Sequence, residues 1–281
     1  MTTVRGALAE ARRRGVALLD AQLLLARALA TTRTALIAGD DRRLAAEEDE
    51  RWSAWLARRA GGEPLAYLLG EKEFHGLVLE VSADVLVPRP ETELVVDWAA
   101  ELIAAVAGTA GALPTSAVVD LGTGSGAIAL AVKRVHPTAR VTATDASAAA
   151  LAVARRNAAR TGLAIELVEG SWWAAVGARR FDIAVANPPY VAAGDPHLAE
   201  LRHEPIAALA AGGDGLDALR AIAAGARDHL FTGGWLVVEH GFDQGASARR
   251  LLAEGGLADV ETRRDLAGHE RATAGRLASA A

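Results

Sequence analysis

The sequence predicts an α/β fold: an open, doubly wound sheet of mostly parallel strands preceded by a small N-terminal helical bundle. Three observations predict it. Roughly the first 60 residues carry apolar residues at helical spacing and no strand-like alternation. From Ala117 onward, short apolar runs alternate with helical stretches. A glycine-rich turn, Gly122-Thr123-Gly124-Ser125-Gly126, follows the first of those runs and opens a helix.

In the N-terminal part, Leu18, Leu19, Leu24, Leu25 and Leu29 recur at helical spacing, as do Trp52, Trp55 and Leu56. Breaks fall at Arg14-Gly15, Gly39-Asp40-Asp41 and Gly61-Gly62. A bundle of this size serves either stability or the docking of a macromolecular substrate, and periodicity does not choose between them. Phe74 to Val81 is rich in strand formers, with Gly76 as the turn point of a short β-hairpin that ends near Pro88-Arg89-Pro90. The boundary between two domains is expected in this hairpin. Thr92 and Glu93 open a helix through Leu94, Val95 and Trp98. The central strands are expected at Ala117–Leu121, Arg140–Thr144, Ile165–Val168, Asp182–Ala186 and Trp235–Glu239. Their continuous apolar character suits parallel strands covered on both faces. Val260–Arg263 and Arg271–Arg276 supply a final pair.

The chain has 281 residues, 51% of them hydrophobic and 23% charged, ordinary for a globular protein with a sizeable core. It contains no cysteine, which excludes disulfides and Cys-based zinc sites. No metal is expected. The N-terminus lacks the apolar core of a signal peptide, and no run is long enough to span a membrane, so the protein reads as cytosolic. A net charge of −5 argues against a dedicated nucleic-acid binder, and neither a stable nucleic-acid complex nor a membrane partner is expected.

The glycine loop gives the backbone a sharp turn and a close approach to a ligand. Asp145, at the end of the second strand, is placed to accept ribose hydroxyl hydrogens. This pair predicts a nucleotide-type cofactor without choosing one, because Gly122, Gly124 and Ala127 also satisfy the dinucleotide fingerprint.

Asn187-Pro188-Pro189-Tyr190, at the end of the fourth strand, is decisive. Strand ends of an open α/β sheet line the ligand crevice. A proline keeps its carbonyl but has no N–H, and Pro189 holds Pro188 extended. The Pro188 carbonyl and the Asn187 side-chain oxygen then form two fixed acceptors, which match the two hydrogens of an NH₂ group. Tyr190 offers a flat face for a planar group. Such a clamp orients a poorly nucleophilic nitrogen and stabilises the positive charge that develops on it. Hydride transfer to a nicotinamide has no use for it; methyl transfer from S-adenosylmethionine does.

On these residues the chain resembles the bacterial release factor glutamine methyltransferases, the protein-(glutamine-N5) methyltransferases. The resemblance extends over Gly62-Glu63-Pro64-Leu65-Ala66-Tyr67-Leu68-Leu69-Gly70, Val87-Pro88-Arg89-Pro90-Glu91-Thr92-Glu93, Val119 to Ile128, the tetrapeptide, Glu239-His240-Gly241 and Gln244-Gly245. It implies a small N-terminal helical domain and a seven-stranded, Rossmann-like methyltransferase domain. It also implies methylation of the side-chain amide nitrogen of the glutamine in the Gly-Gly-Gln loop of class 1 peptide chain release factors. Residues 1–71 then read as a substrate-docking domain, 72–88 as a hairpin linker and 89–281 as the catalytic domain. Gly122, Thr123, Gly124, Ser125, Gly126 and Asp145 would bind S-adenosylmethionine, with Trp172 beside the adenine. Asn187 would touch cofactor and substrate, and Pro188, Pro189 and Tyr190 would complete the glutamine pocket. Two residues depart from many relatives: Ala186 stands where they carry serine, and Ser171 where they carry aspartate. Trp173 adjoins Trp172, so either indole is a candidate for the cofactor. Arg89 and Glu91 are expected in surface or interdomain pairing.

Three rivals share some of these features: methylation of a nucleobase exocyclic amine, methylation of a ribosomal-protein glutamine, and a non-enzymatic cofactor-binding scaffold.

Overall fold

Thr3 and Thr32 begin helices in the same way, each hydroxyl accepting a backbone N–H of the first turn, from Gly6 and Ala35 respectively, both at 3.1 Å. They belong to the first of two compact units, Met1–Glu71 and Lys72–Ala281, in a computed structural model that describes residues 2–108 and 116–278. The first unit is helical: α1 (Val4–Arg13), α2 (Leu18–Ala28), α3 (Arg33–Ala38), α4 (Ala46–Ala60) and α5 (Leu65–Leu69). Glu48 reaches back to the Ala45 N–H at 2.9 Å and fixes the start of α4. Leu24, Leu25, Leu29, Trp52 and Leu56 form its core with small residues such as Ala7 and Ala11. Leu18 and Leu19 do not join them, being 62% and 50% exposed in the first turn of α2. Spacing alone puts all five leucines on one helix, but the buried face is taken by the later three.

The second unit begins with a hairpin of β1 (Glu71–Phe74) and β2 (Leu77–Glu80). The hairpin's apolar residues join that unit's core. Phe74, Leu77 and Leu79 are buried with Val95 and Trp98. Asn157, wholly buried, pins it further. The Asn157 side chain accepts from Glu80 N at 2.6 Å and donates to the carbonyls of Glu80 and Ser125, both at 2.9 Å. One amide thus ties the hairpin to the glycine loop.

A short 3-10 turn, Pro90–Thr92, leads into α6 (Glu93–Gly108). The sheet elements follow as β3 (Ala117–Leu121), α7 (Ala127–Val135), β4 (Arg140–Asp145), α8 (Ala148–Thr161), β5 (Glu166–Glu169), β6 (Phe181–Ala186), α9 (Asp217–His229), β7 (Leu230–Glu239), α10 (Gly245–Glu254), β8 (Ala258–Arg264) and β9 (Glu270–Arg276). The seven strands lie in the order β5-β4-β3-β6-β7-β9-β8. The first five are parallel, and β9 pairs antiparallel with both β7 and β8. β7 starts at Leu230, ahead of its apolar run, because pairing with β6 jumps from Phe181↔Leu230 to Ile183↔Trp235 across a bulge.

Alternate residues face opposite layers. Val118, Ile183, Val185 and Val237 pack under α6 and α7. Val119, Leu121, Ala184, Ala186, Leu236 and Val238 pack against Leu219 and Ile222 of α9 and Leu252 of α10. The chain winds outward from β3 to β5, then crosses back to β6 on the other side of β3. That reversal leaves a crevice at the carboxyl ends of β3 and β6.

Candidate active site

Parallel register brings the predicted residues to one edge of the sheet. Leu121 is level with Thr144 of β4 and with Ala186 of β6, so the residues that follow each strand emerge together. A cavity of about 380 Å³ opens there. Its wall includes Gly122, Thr123, Gly124, Ser125, Asp145, Trp172, Asn187 and Pro189. Asp84, Arg89 and Thr92 complete it from one side of the sequence, and Pro205, Ala207 and Ala208 from the other. Three predicted residues lie outside the wall: Gly126 starts α7, Pro188 is buried, and Tyr190 is half-buried behind its neighbours.

The first three backbone N–H groups of the glycine loop are held by acceptors on the neighbouring strand. Gly122 N and Thr123 N both donate to Thr144 O, at 2.9 and 2.8 Å. Gly124 N donates to one carboxylate oxygen of Asp145 and Ser147 N to the other, each at 2.9 Å. Every oxygen of Asp145 keeps a lone pair for a further donor. Gly122 has φ of +78°, and a Cβ there would come within 3.1 Å of the Trp172 ring. No other residue type fits both demands.

The two adjacent indoles separate. Trp172 has φ of +46°, a strained conformation for a non-glycine residue, and its ring lies against Gly122 in the cavity wall. Trp173 turns under α9, donates from Nε1 to Ile222 O at 2.8 Å and stacks on His229 with ring centroids 4.8 Å apart. Trp172 is therefore the indole that faces the cavity.

Beneath the loop, Asp120 is fully buried. Its Oδ2 accepts the Thr123 hydroxyl at 2.6 Å and Ala129 N at 3.2 Å, while Oδ1 has no partner among the described residues. Burial pushes its pKa up to about 7, against the pull of those two hydrogen bonds.

The tetrapeptide is held by side chains from distant segments. Asn187 Nδ2 donates to Thr92 Oγ1 at 3.0 Å. Glu239, buried at the end of β7, lies near the Thr92 hydroxyl and, with a weaker influence, the Tyr190 hydroxyl, both of which favour its charged form. Glu239 Oε2 has no partner among the described residues. Burial pushes the Glu239 pKa up to about 7, with the Thr92 bond and the Arg271 charge pulling down. Burial, and next the Glu239 charge, raise Tyr190 to about 12, so its phenol stays protonated. The Tyr190 carbonyl accepts Gln244 Nε2 at 3.0 Å. Gly215, with φ of +74°, presses on that carbonyl, and any Cβ there would collide with it and come within 2.9 Å of Gln244 Nε2.

Arg89, expected in surface or interdomain pairing, pairs within the second unit. Its Nη2 meets Glu204 Oε1 at 2.5 Å, and Val87 N donates to Glu204 Oε2 at 3.1 Å. The Glu204 side chain is 2% exposed. This clasp joins two segments of the cavity wall, the one carrying Arg89 and Thr92 and the one carrying Pro205 to Ala208.

Sequence reasoning gave no site role to Thr92, Glu239, Asp120 or Glu204. For Asp120 and Glu239 a signal was present: each is an acid inside or at the end of a run otherwise apolar, where ionisable groups are rarely buried without a function or a partner. Thr92 passed as an ordinary helix-starting residue. Among the described residues, no cluster of metal-ligating side chains occurs, and no helix is long and apolar enough to cross a membrane.

Comparison with known proteins matches residues 2–70 to the PrmC N-terminal domain and residues 93–249 to the Methyltransferase small domain. A release factor glutamine methyltransferase of Burkholderia pseudomallei is 50% identical over 268 residues, covering 92% of each chain. One from Bordetella pertussis is 45% identical over 280 residues, 99% of this chain and 100% of that one. Among solved structures, the hMettl16 catalytic domain in complex with MAT2A 3'UTR hairpin 1 shares the fold with a TM-score of 0.57. It is 19% identical, and the match covers 79% of this chain and 80% of that one.

Proposed function

The chain belongs to the release factor glutamine methyltransferase family, and we propose that it methylates the side-chain amide nitrogen (N5) of the glutamine in the Gly-Gly-Gln motif of class 1 peptide chain release factors. The observation that carries this reading is the meeting of Asn187 and Pro189 with the glycine loop, Asp145 and Trp172 in one cavity wall.

S-adenosylmethionine, when bound, supplies an electrophilic methyl group on a sulfonium. The residues present fit that cofactor. The Gly122–Gly126 loop, with no Cβ at its closest approach, allows a ligand near the backbone. Asp145 retains acceptor capacity for the two ribose hydroxyls. Trp172 offers an aromatic face in the cavity wall for the adenine. Asp120 Oδ1, beneath the loop, has no partner among the described residues.

Asn187, in the cavity wall, supplies one acceptor for the substrate NH₂, and the carbonyl of Pro188, a residue set behind that wall, is the second acceptor the tetrapeptide offers. Together they fix the direction of the nitrogen lone pair and stabilise positive charge as it develops there. Pro189 has no N–H to compete with those acceptors. Tyr190, held by Glu239 and Gln244, keeps the end of the tetrapeptide in place. The nitrogen's proton leaves after bond formation, so no base has to ionise the amide first. Residues 1–71 are proposed to dock the release factor, residues 72–88 to link them to the catalytic part, residues 89–281. Because release factors act in translation, the enzyme is proposed to work in the cytoplasm.

The test incubates the protein with methyl-labelled S-adenosylmethionine and an unmodified release factor, then maps the label by mass spectrometry. One methyl on the Gly-Gly-Gln glutamine is expected. Label confined to a ribosomal protein or to nucleic acid would overturn the substrate assignment.

A further inference from the structure

We propose that Thr92 and Glu239 set the orientation of the Asn187 amide, so that its oxygen and not its NH₂ is presented to the substrate nitrogen; this rests on the reading of Asn187 as an amide clamp. A side-chain amide has two ends of nearly equal size and opposite hydrogen-bonding sense. Presented the wrong way, Asn187 would set its own N–H groups against those of the substrate. The tetrapeptide by itself contains nothing that chooses.

The neighbouring residues do. Thr92 has one hydroxyl proton, and the buried Glu239 carboxylate, whose charged form that hydroxyl favours, is the acceptor that draws it. The Thr92 oxygen can therefore only accept from Asn187, which requires Nδ2 on the Thr92 side, as observed at 3.0 Å. Asn187 Oδ1 accepts no hydrogen bond among the described residues and remains available in the cavity wall. Glu239 keeps this sense in either charge state. Its Oε2 has no partner among the described residues, so a proton has a place to sit while the other oxygen stays open to the Thr92 hydroxyl. The direction of every bond thus runs one way, from the substrate amide through Asn187 and Thr92 to a buried acceptor on β7. Thr92 and Glu239 are positioning residues, since they act through Asn187.

The test compares Thr92→Val, which keeps the shape and removes the hydroxyl, with Thr92→Ser, which restores it. With methyl-labelled S-adenosylmethionine and an unmodified release factor, Thr92→Val is expected to lose at least about tenfold in kcat, the value of one oriented hydrogen bond. Its calorimetric affinity for S-adenosylmethionine and its Tm should stay at wild-type values. Thr92→Ser should return kcat to within about threefold of wild type. Glu239→Leu should lose kcat with an unchanged or higher Tm, because a buried carboxylate is replaced by an apolar side chain of similar size. Glu239→Gln, which still has an oxygen acceptor, should keep most of it.

Wild-type turnover in Thr92→Val, or failure of Thr92→Ser to recover, overturns the proposal. So does a kcat loss that tracks a fall in Tm or cofactor affinity, since that is a packing effect. If the wild-type protein labels no Gly-Gly-Gln glutamine, the functional reading fails, and the relay is judged separately by NMR of the Asn187 side-chain amide. Hydrogens slow to exchange in wild type and fast in Thr92→Val support it; equal exchange in both overturns it.

Discussion

The two halves of the cavity are built by different means. The glycine loop and Asp145 are held mainly by short-range bonds to backbone groups between Asp120 and Ser147, with Asn157 alone reaching in from α8. The Asn187 half depends on side chains that arrive from far along the chain: Thr92 is 95 residues upstream, and Gln244 bonds a carbonyl 54 residues away. A backbone-built site tolerates side-chain changes around it but not changes in local conformation. A side-chain-built site tolerates local backbone adjustment but fails when a distant partner is lost.

The largest effect expected from this contrast is at Asn187. Asn187→Ala removes one of the two substrate acceptors and should lower kcat by about 10²–10³ with the fold intact. Measured turnover near wild type would break the clamp and the contrast with it. Next, Asp145→Ala should weaken S-adenosylmethionine binding by about 1.5–3 kcal/mol, the range for hydrogen bonds to a charged group. Calorimetry that finds no change would remove Asp145 from the ribose role. A smaller effect is expected at the clasp. Arg89→Ala leaves the buried Glu204 carboxylate with only the Val87 N–H, at a cost of about 1–2 kcal/mol once the partial exposure of Arg89 is allowed for. Denaturant unfolding reads it directly, and an unaltered midpoint would show the clasp to be dispensable.

The last effect is a slope with pH. Asp120 titrates near 3.8 when unfolded and at about 7 when folded, because burial penalises its charge. Between those values the unfolded chain has released a proton that the folded chain retains, so stability falls as pH rises from about 4 to about 7. Asp120→Asn should lessen that slope, leaving the part that Glu239, also raised to about 7 by burial, contributes. A wild-type profile flat over the same window would mean that Asp120 is ionised in the folded apo-protein.

The same contrast explains what the sequence could tell. The central strands β3, β4, β6 and the second half of β7 coincide with apolar runs, because strands buried on both faces need apolar residues without interruption, whereas the outer strands β5 and β8 are polar and largely exposed. The glycine loop and the tetrapeptide were legible for a related reason, since local backbone demands leave a local signature. Thr92 was not, and Glu239 was marked only as an acid ending an apolar run, because what they hold exists only once β7 is laid beside β6. The exposure of Leu18 and Leu19 was hidden in the same way, as helical spacing does not reveal how far along a helix the neighbouring helices reach.

Gly215 carries this into mutational space. It is far from the tetrapeptide in sequence, it is not in the cavity wall, and it has no chemistry of its own. Yet its α-carbon leaves no room beside the Tyr190 carbonyl. In a saturation scan selected on methylation, position 215 should be among the least tolerant sites in the chain, rejecting even alanine. A scan ranked by distance to the reacting atoms would overlook it.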